Sequence, residues 1–503
     1  MRSVPVGATT TTGSAVAVSE ASVSAQEGRA AFWDLERWLL SSASLRLALS
    51  GVESEAELLG HELLRLQLQA HLVYRGTGDC GAALRVERGD GHPVRYTHKR
   101  LRTRSVVTLF GPVSVTRMGY GRPGCGAVYP LDAELQLPAR RFSYEVQRRV
   151  VKAAVLGPFD EALEVLADTS GISVSKRTAE LIVLEASADF DRFYAERTKA
   201  DYEEEGPILV AALDSKGIPL VKPEGAVRTV RARKGEKRQK KRMSTVAAVF
   251  SQWPEPRTPE DIVNRLFSVA HVEPRRKPRV SRPRNKRVWA SLVSAKDLFI
   301  AGVRQEVLRR DRTHRKSWVV VTDGERGLQR RVCEYFQDVT LVLDLFHVLE
   351  KLWKAAYALH AEGSVEAEIF VRDRALRLLR GQVGGVVKGL RQMATKRKLQ
   401  GVKRHAMLSA AAYFQRNRSR MRYDLYLKNG WPIASGSVEG ACKNLIKDRM
   451  ERSGMRWTPA GAEAMLRLRA AYLSGDFEEY WRYHVAQDQQ RLYPFAFRSV
   501  DEK

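Results

Sequence analysis

Four short, nearly uninterrupted apolar runs in the second half of the chain constrain its fold more than any other feature. They are Ile208–Leu213 (ILVAAL), Ser244–Phe250 (STVAAVF), Trp318–Thr322 (WVVVT) and Val339–Leu343 (VTLVL). None alternates apolar with polar residues, so none reads as a strand with one wet face. Continuous apolar, β-branched runs are what strands covered on both faces require. A helical pattern from about Ala295 to Arg310 separates the second run from the third, and helix follows the fourth almost to the end of the chain. Strands interleaved with helices predict a mixed α/β sheet core. No run approaches the roughly 20 apolar residues of a membrane-spanning helix, so an integral helical membrane protein is not expected.

Three of these runs are followed at once by an aspartate. Asp214 follows Leu213, Asp323 follows Thr322 and Asp344 follows Leu343. One such aspartate is commonplace and usually caps the next helix or turn. In an α/β sheet, though, the carboxyl ends of strands are where sites are built. Clustered carboxylates repel one another unless a cation neutralises them, and oxygen donors suit Mg²⁺ or Mn²⁺. A pair of such ions can activate a water or a 3′-hydroxyl and stabilise the leaving oxygen of a phosphodiester. A fourth acid, Glu439, lies in the first turn of a helix opened by Trp431–Gly440, with Ser435 or Ser437 as the N-cap. Glu439 could instead merely complement the helix dipole. Lys443, Lys447 and Arg452 follow it along the same segment.

The charge balance points the same way. Lys and Arg number 85 against 58 Asp and Glu, a net +27 at pH 7. A surplus of this size points to a polyanionic partner, most often nucleic acid, ahead of the bland alternative of a generically basic surface. Two stretches are intensely basic, Arg228–Arg242 and Arg275–Arg287. Their charge, and in the second stretch its prolines, predict turn-rich loops, and the residues expected to meet phosphate are Arg231, Arg233, Lys234, Lys237, Arg238, Lys240, Lys241, Arg242, Arg275, Arg276 and Lys277, together with Lys443 and Lys447. Four scattered cysteines (80, 125, 333 and 442) fit a reducing compartment and no disulfide framework. Cys80 and Cys125 stand outside any Cys-x-x-Cys pair, so a zinc site built with His92 and His98 is not expected.

The first half has a different texture. Residues 1–26, rich in Thr, Ser, Ala and Val, lack any period and read as a disordered tail without a secretory leader. Helical spacing runs from about Ala30 to Tyr74, then breaks at a glycine-rich stretch, 75–81. Val106, Val107, Leu109, Val113 and Val115 flank Phe110-Gly-Pro112, a hairpin signal. Helix returns over 143–198, where Glu161–Ala167, Gly171 and Ser175–Val183 form either a helix-turn-helix or an ordinary helical hairpin.

Taken together, these segments resemble the DDE-type transposases of bacterial insertion sequences, of the Kra type, with a looser likeness to Mutator-like transposases. The resemblance is carried by Ala212-Leu-Asp-Ser-Lys-Gly-Ile-Pro219, Val320-Val-Thr-Asp-Gly-Glu-Arg-Gly-Leu328 and Leu343-Asp-Leu-Phe-His-Val-Leu-Glu-Lys-Leu-Trp353. Its most specific part is Ser435-Gly-Ser-Val-Glu-Gly-Ala-Cys-Lys-Asn-Leu-Ile-Lys-Asp-Arg-Met450 with Ser453-Gly-Met-Arg-Trp457. Upstream, the hairpin Thr108–Arg117 and Tyr129-Pro-Leu-Asp132 also match.

The resemblance implies an RNase H-like α/β domain with an all-helical insertion, preceded by a mostly helical region carrying a small β-hairpin. Its divisions would be a tail (1–26), a helical region (27–100), a hairpin-plus-helix region binding DNA ends (101–200) and the sheet core (205–346). The helical insertion (347–430), the acidic helix and its successor (431–475) and a C-terminal tail (476–503) would follow. It implies Asp214, Asp323 and Glu439 as the catalytic, metal-binding acids, with Asp344 and His347 in support and two Mg²⁺ or Mn²⁺ ions. Its expected partners are double-stranded DNA, both terminal inverted repeats and target, and further copies of the chain, in the bacterial cytoplasm at the nucleoid. The competing expectations are a non-catalytic, domesticated DNA-binding relative and an RNase H-like nuclease.

Overall fold

The structure, a computed structural model, describes residues 13–87, 93–197, 205–221, 241–267 and 283–499. The basic residues Arg231, Arg233, Lys234, Lys237, Arg238, Lys240, Arg275, Arg276 and Lys277 lie outside the described residues. The chain divides into two compact units, one of residues 1–193 with 478–503, the other of 194–477.

The first unit opens with two long helices, α1 (Gly13–Leu39) and α2 (Leu49–Tyr74). The tail expected to lack structure over 1–26 is thus helical from Gly13 onward; its Ala, Ser and Glu residues tolerate helix even without an apolar period. The region expected to be helical to residue 100 turns to strand earlier, with β1 (Leu84–Glu87), β2 (Pro93–Tyr96) and the start of β3 (His98–Thr108). The hairpin is as expected: β3 pairs antiparallel with β4 (Gly111–Arg122), and β5 (Cys125–Val128) adds to β4. Val113 and Val115 alternate inward along β4 and are buried with Val106 and Leu131. A short helix, α3 (Pro130–Glu134), buries Asp132 against Arg117 and Arg104.

Four more helices follow: α4 (Tyr144–Leu156), α5 (Phe159–Ser170), α6 (Lys176–Ala186) and α7 (Phe190–Glu196). The α5–α6 pair falls where the sequence places it. Gly171 ends α5 at φ +62°, a left-handed conformation that glycine adopts without strain. Ser175 caps α6 by accepting the Thr178 N–H.

In the second unit the apolar runs become one five-stranded sheet of β6 (Ile208–Pro219), β7 (Lys241–Gln252), β8 (Arg284–Ser291), β9 (Ser317–Thr322) and β10 (Thr340–Leu343). Its order is β10-β9-β6-β7-β8. β10 and β9 run parallel to the central β6, whereas β7 is antiparallel to both β6 and β8. Ile208–Leu213 and Val246–Val249 are almost wholly buried, as strands covered on both faces must be. α8 (Pro259–Leu266) follows β7, α9 (Lys296–Arg310) follows β8, and α10 (Arg326–Tyr335) is the crossover between parallel β9 and β10.

The end of the second basic stretch is not a loop. Arg284–Arg287 belong to β8. Arg287 is mostly enclosed, bonded to Glu306 at 2.6 Å and stacked over the rings of Tyr194 and Trp289. Its charge is spent on the interior, where burial without a partner would cost several kcal/mol.

After β10 the chain is helical, as expected of an insertion: α11 (Leu345–Ala356), α12 (Val365–Leu379), α13 (Val383–Lys396), α14 (Gly401–Asn417) and α15 (Tyr423–Lys428). Then α16 (Gly436–Ala441) runs into a π-helical turn, Cys442–Lys447, and on into α17 (Asp448–Met450). α18 (Pro459–Leu473) closes the unit. The segment expected as a C-terminal tail is instead α19 (Phe477–Leu492) and β11 (Ala496–Ser499). β11 pairs with β1 in the first unit, Leu84 opposite Ser499, and so joins the β1–β2 pair as a third strand from the far end of the sequence.

Candidate functional site

Asp214 does not end its strand. β6 continues to Pro219, and Asp214 sits opposite Val246 of β7, one residue beyond the last β6 pair with β9. The fully apolar stretch stops at Leu213, where the neighbouring β9 ends beside it at Thr322; from Asp214 on, β6 pairs within the sheet only with β7. One Asp214 oxygen accepts the Ser215 N–H at 2.6 Å. The other accepts from the Cys442 thiol at 3.1 Å. Cys442 is buried, and burial beside the Asp214 carboxylate pushes its thiol well above the ordinary range.

Asp323 and Asp344 do follow their strands, as expected. The Asp323 carboxylate accepts the Glu325 N–H at 2.9 Å. Its pKa is raised, chiefly by burial and further by repulsion from Asp214, with the His347 ring acting the other way. Asp344 is nearly inaccessible and caps α11, accepting the Phe346 N–H at 2.9 Å and the Ser435 hydroxyl. Burial raises its pKa while those bonds oppose the rise. Ser435, one of two expected caps of α16, has therefore given its hydroxyl to Asp344; its carbonyl receives the Glu439 N–H at 2.8 Å. Glu439 lies in the first turn of α16 as expected. Desolvation raises its pKa, and repulsion from Asp344, Asp214 and Glu350 adds to the rise.

The four acids and His347 are thus drawn into one electrostatic neighbourhood from four separate stretches of chain. His347 is one-quarter exposed, 3.7 Å from Glu350. No group of three or more His, Cys, Asp or Glu side chains among the described residues is drawn tightly enough to hold a metal ion. The carboxylates are gathered around one region without closing on one point. Their donor chemistry is all oxygen, which fits a hard divalent cation, and a cation would offset the repulsion that raises Asp323 and Glu439.

Two tyrosines of the helical stretch between β10 and α16 brace this region, and the sequence gives no periodic signal for either. The Tyr413 hydroxyl donates to the carbonyl of Asp323 at 2.7 Å. The Tyr423 hydroxyl donates to the carbonyl of Leu343, also at 2.7 Å. The ends of β9 and β10, each followed by an aspartate, are therefore held by this helical stretch. The tight approach explains the glycine after Asp323. Gly324 has φ +88°, and a Cβ there would lie 2.6 Å from the Tyr413 hydroxyl. Cys442 was equally invisible as a neighbour of Asp214, because the two are distant in sequence.

Of the basic residues expected near phosphate, Lys443 and Lys447 are exposed on the π turn just beyond Glu439. Arg242 is exposed on β7, and Lys241 reaches Glu451 at 2.9 Å. Trp457, in the last resembling segment, bridges to Leu220 and so joins the stretch after α17 to the end of β6.

No family model matches the chain, and no curated protein does. Among solved structures, the chain is similar to the Drosophila P element transposase strand transfer complex, with 10% identity and a TM-score of 0.26, over 68% of this chain and 80% of that one.

Proposed function

We propose that this protein is a DDE-type DNA transposase whose 194–477 unit is an RNase H-like polynucleotidyl transferase with an all-helical insertion. One observation carries the reading. Asp214, Asp323 and Glu439, the acids that the sequence resemblance names, come from a central strand, a neighbouring strand end and a late helix, and the Asp214 carboxylate adds to the raised pKa of each of the other two. The mixed sheet and the all-helical stretch between β10 and α16 support the fold reading.

On this reading Asp214, Asp323 and Glu439 hold two Mg²⁺ or Mn²⁺ ions, which supply Lewis-acid activation of water or a 3′-hydroxyl and stabilise the leaving oxygen. Binding requires their side chains to close on a common point. Asp344 fixes the start of α11 and, through Ser435, the approach to α16, so its role is positioning. His347 contributes positive charge, when protonated, beside the three acids. Lys443 and Lys447 steady the phosphodiester next to Glu439. The basic runs around 231–240 and 275–277 hold DNA, and pairing of two element ends makes the working form a homo-oligomer.

The test is divalent-dependent strand cleavage and joining on DNA carrying the terminal inverted repeats that flank the gene. The intact protein should cleave and join. Asp214→Asn, Asp323→Asn and Glu439→Gln should each abolish cleavage while end binding stays near that of the parent. Full cleavage by Asp323→Asn would falsify the assignment. Cleavage without joining would favour a nuclease, and binding without either a non-catalytic relative.

A further inference from the structure

A second cationic feature lies beside the acids, on elements that none of the sequence motifs covers for DNA. A cleft of about 460 Å³ is lined by Arg326, Gln329, Arg330, Cys333, Glu334, Arg416 and Arg420. Arg326 and Arg330 are one turn apart on α10 and share a helix face. Arg416 lies in the last turn of α14 and Arg420 in the 3₁₀ turn that follows it. Two separate elements thus aim arginines into one groove. The lone acid of the lining, Glu334, is 3.5 Å from Arg330 in an exposed pair that contributes little. Among the described residues, no carboxylate pairs with Arg326, Arg416 or Arg420.

We propose that this cleft grips the phosphate backbone of duplex DNA as it leaves the candidate site. This rests on the transposase reading above. Position argues for it. Arg326 is three residues beyond Asp323, and Arg416 sits 5.9 Å from the ring of Tyr413, whose hydroxyl holds the Asp323 carbonyl. Chemistry argues for it too. Guanidinium is a planar fork that matches phosphate oxygens with paired hydrogen bonds, and uncompensated arginines on facing walls favour an anion between them. Phosphates of one strand recur about every 3.4 Å along the helix axis, so a short groove can meet several in succession. The lining has no large apolar side chain, which a membrane-surface site would need.

Three measurements test this on the full chain. The first uses the native protein. Cys333 is an exposed thiol in the cleft, so its rate of alkylation, mapped by mass spectrometry, reads occupancy directly. A random-sequence duplex should slow alkylation of Cys333 severalfold, and the slowing should fade with added salt. Unchanged alkylation at saturating duplex overturns the proposal. The second replaces Arg326, Arg330, Arg416 and Arg420 together with alanine. These side chains carry none of the core, so melting should be unchanged. Affinity for the duplex should fall, and the slope of log K against log salt should flatten by about 0.9 for each lost phosphate contact. An unchanged slope overturns the proposal. Inorganic tripolyphosphate provides the third arm. If it protects Cys333 and the duplex does not, the cleft takes a small polyphosphate and the backbone assignment is wrong. The two readings separate cleanly: cleavage and joining with Cys333 unprotected sinks only the cleft, whereas protection without divalent-dependent cleavage sinks only the transposase.

Discussion

At the scale of single residues, the acids carry a cost that a cation would remove. Asp323, Asp344 and Glu439 all have raised pKa values in the folded chain. A carboxyl whose folded pKa lies above its unfolded value favours the fold while protonated, and that contribution is lost as pH rises through the folded pKa. In metal-free protein, Asp323→Asn should therefore raise the melting temperature at neutral pH. The gain should shrink as pH falls towards the ordinary carboxylate range. Mg²⁺ should stabilise the parent and leave the variant nearly unmoved, since only a native-state ligand shifts melting. Melting curves with chelator and with Mg²⁺ at two pH values check this; a variant that melts lower at neutral pH contradicts it. The identity of these acids was legible because each stands next to an apolar run or in a specific motif. Their surroundings were not. The thiol of Cys442 against Asp214, and the use of the Ser435 hydroxyl by Asp344, depend on long-range closure that local spacing does not encode.

At the scale of elements, the sheet was readable and its margins were not. β6, β7, β9 and β10 announce themselves because burial on both faces demands unbroken apolar residues. β8 was hidden by its basic start, whose Arg287 is accommodated only because Glu306 and two aromatic rings meet it. β1 pairs with its neighbour β2, but the four-residue β11 gains its partner, β1, only from the other end of the chain. The stretch between β10 and α16 was expected as helix, but its tyrosine braces were not. Tyr413→Phe removes the bond to the Asp323 carbonyl and should cost about 1 kcal/mol of stability. Cleavage should slow more than duplex binding weakens, because the brace sets where Asp323 stands. Equal losses in both would make Tyr413 an ordinary packing residue.

At the scale of the whole molecule, charge and chemistry are distributed differently. The net +27 is spread over the chain, and much of it lies in the two basic runs. Such runs neutralise phosphates without reading bases. Changing Arg231, Arg233, Lys237 and Arg238 to alanine should therefore weaken terminal-repeat and random duplexes by the same factor. The salt slope should flatten by about 0.9 per lost contact. Loss confined to terminal-repeat DNA would assign these residues to end recognition instead. That task is expected of the first unit, where α5 and α6 form the helical pair around Gly171. Of the sequence divisions there, those at residues 26 and 100 fall inside the first unit and the one at 200 lies near its boundary with the second, while the last residues of the chain join the first unit.

The π turn at Cys442–Lys447 also sets a phase. A π turn is a helix carrying one residue more than its α-helical path needs. Everything before it is rotated relative to everything after, and the buried Arg449 and Trp457 fix the far end. Deleting Asn444 would let the segment relax to plain α-helix. Glu439 would then swing by about 100° and shift by about 1.5 Å along the axis. Helix content by circular dichroism should survive the deletion while cleavage disappears. The surplus residue acts as a spacer that keeps one carboxylate pointed at its neighbours, and the chain can lose it only by turning that carboxylate away.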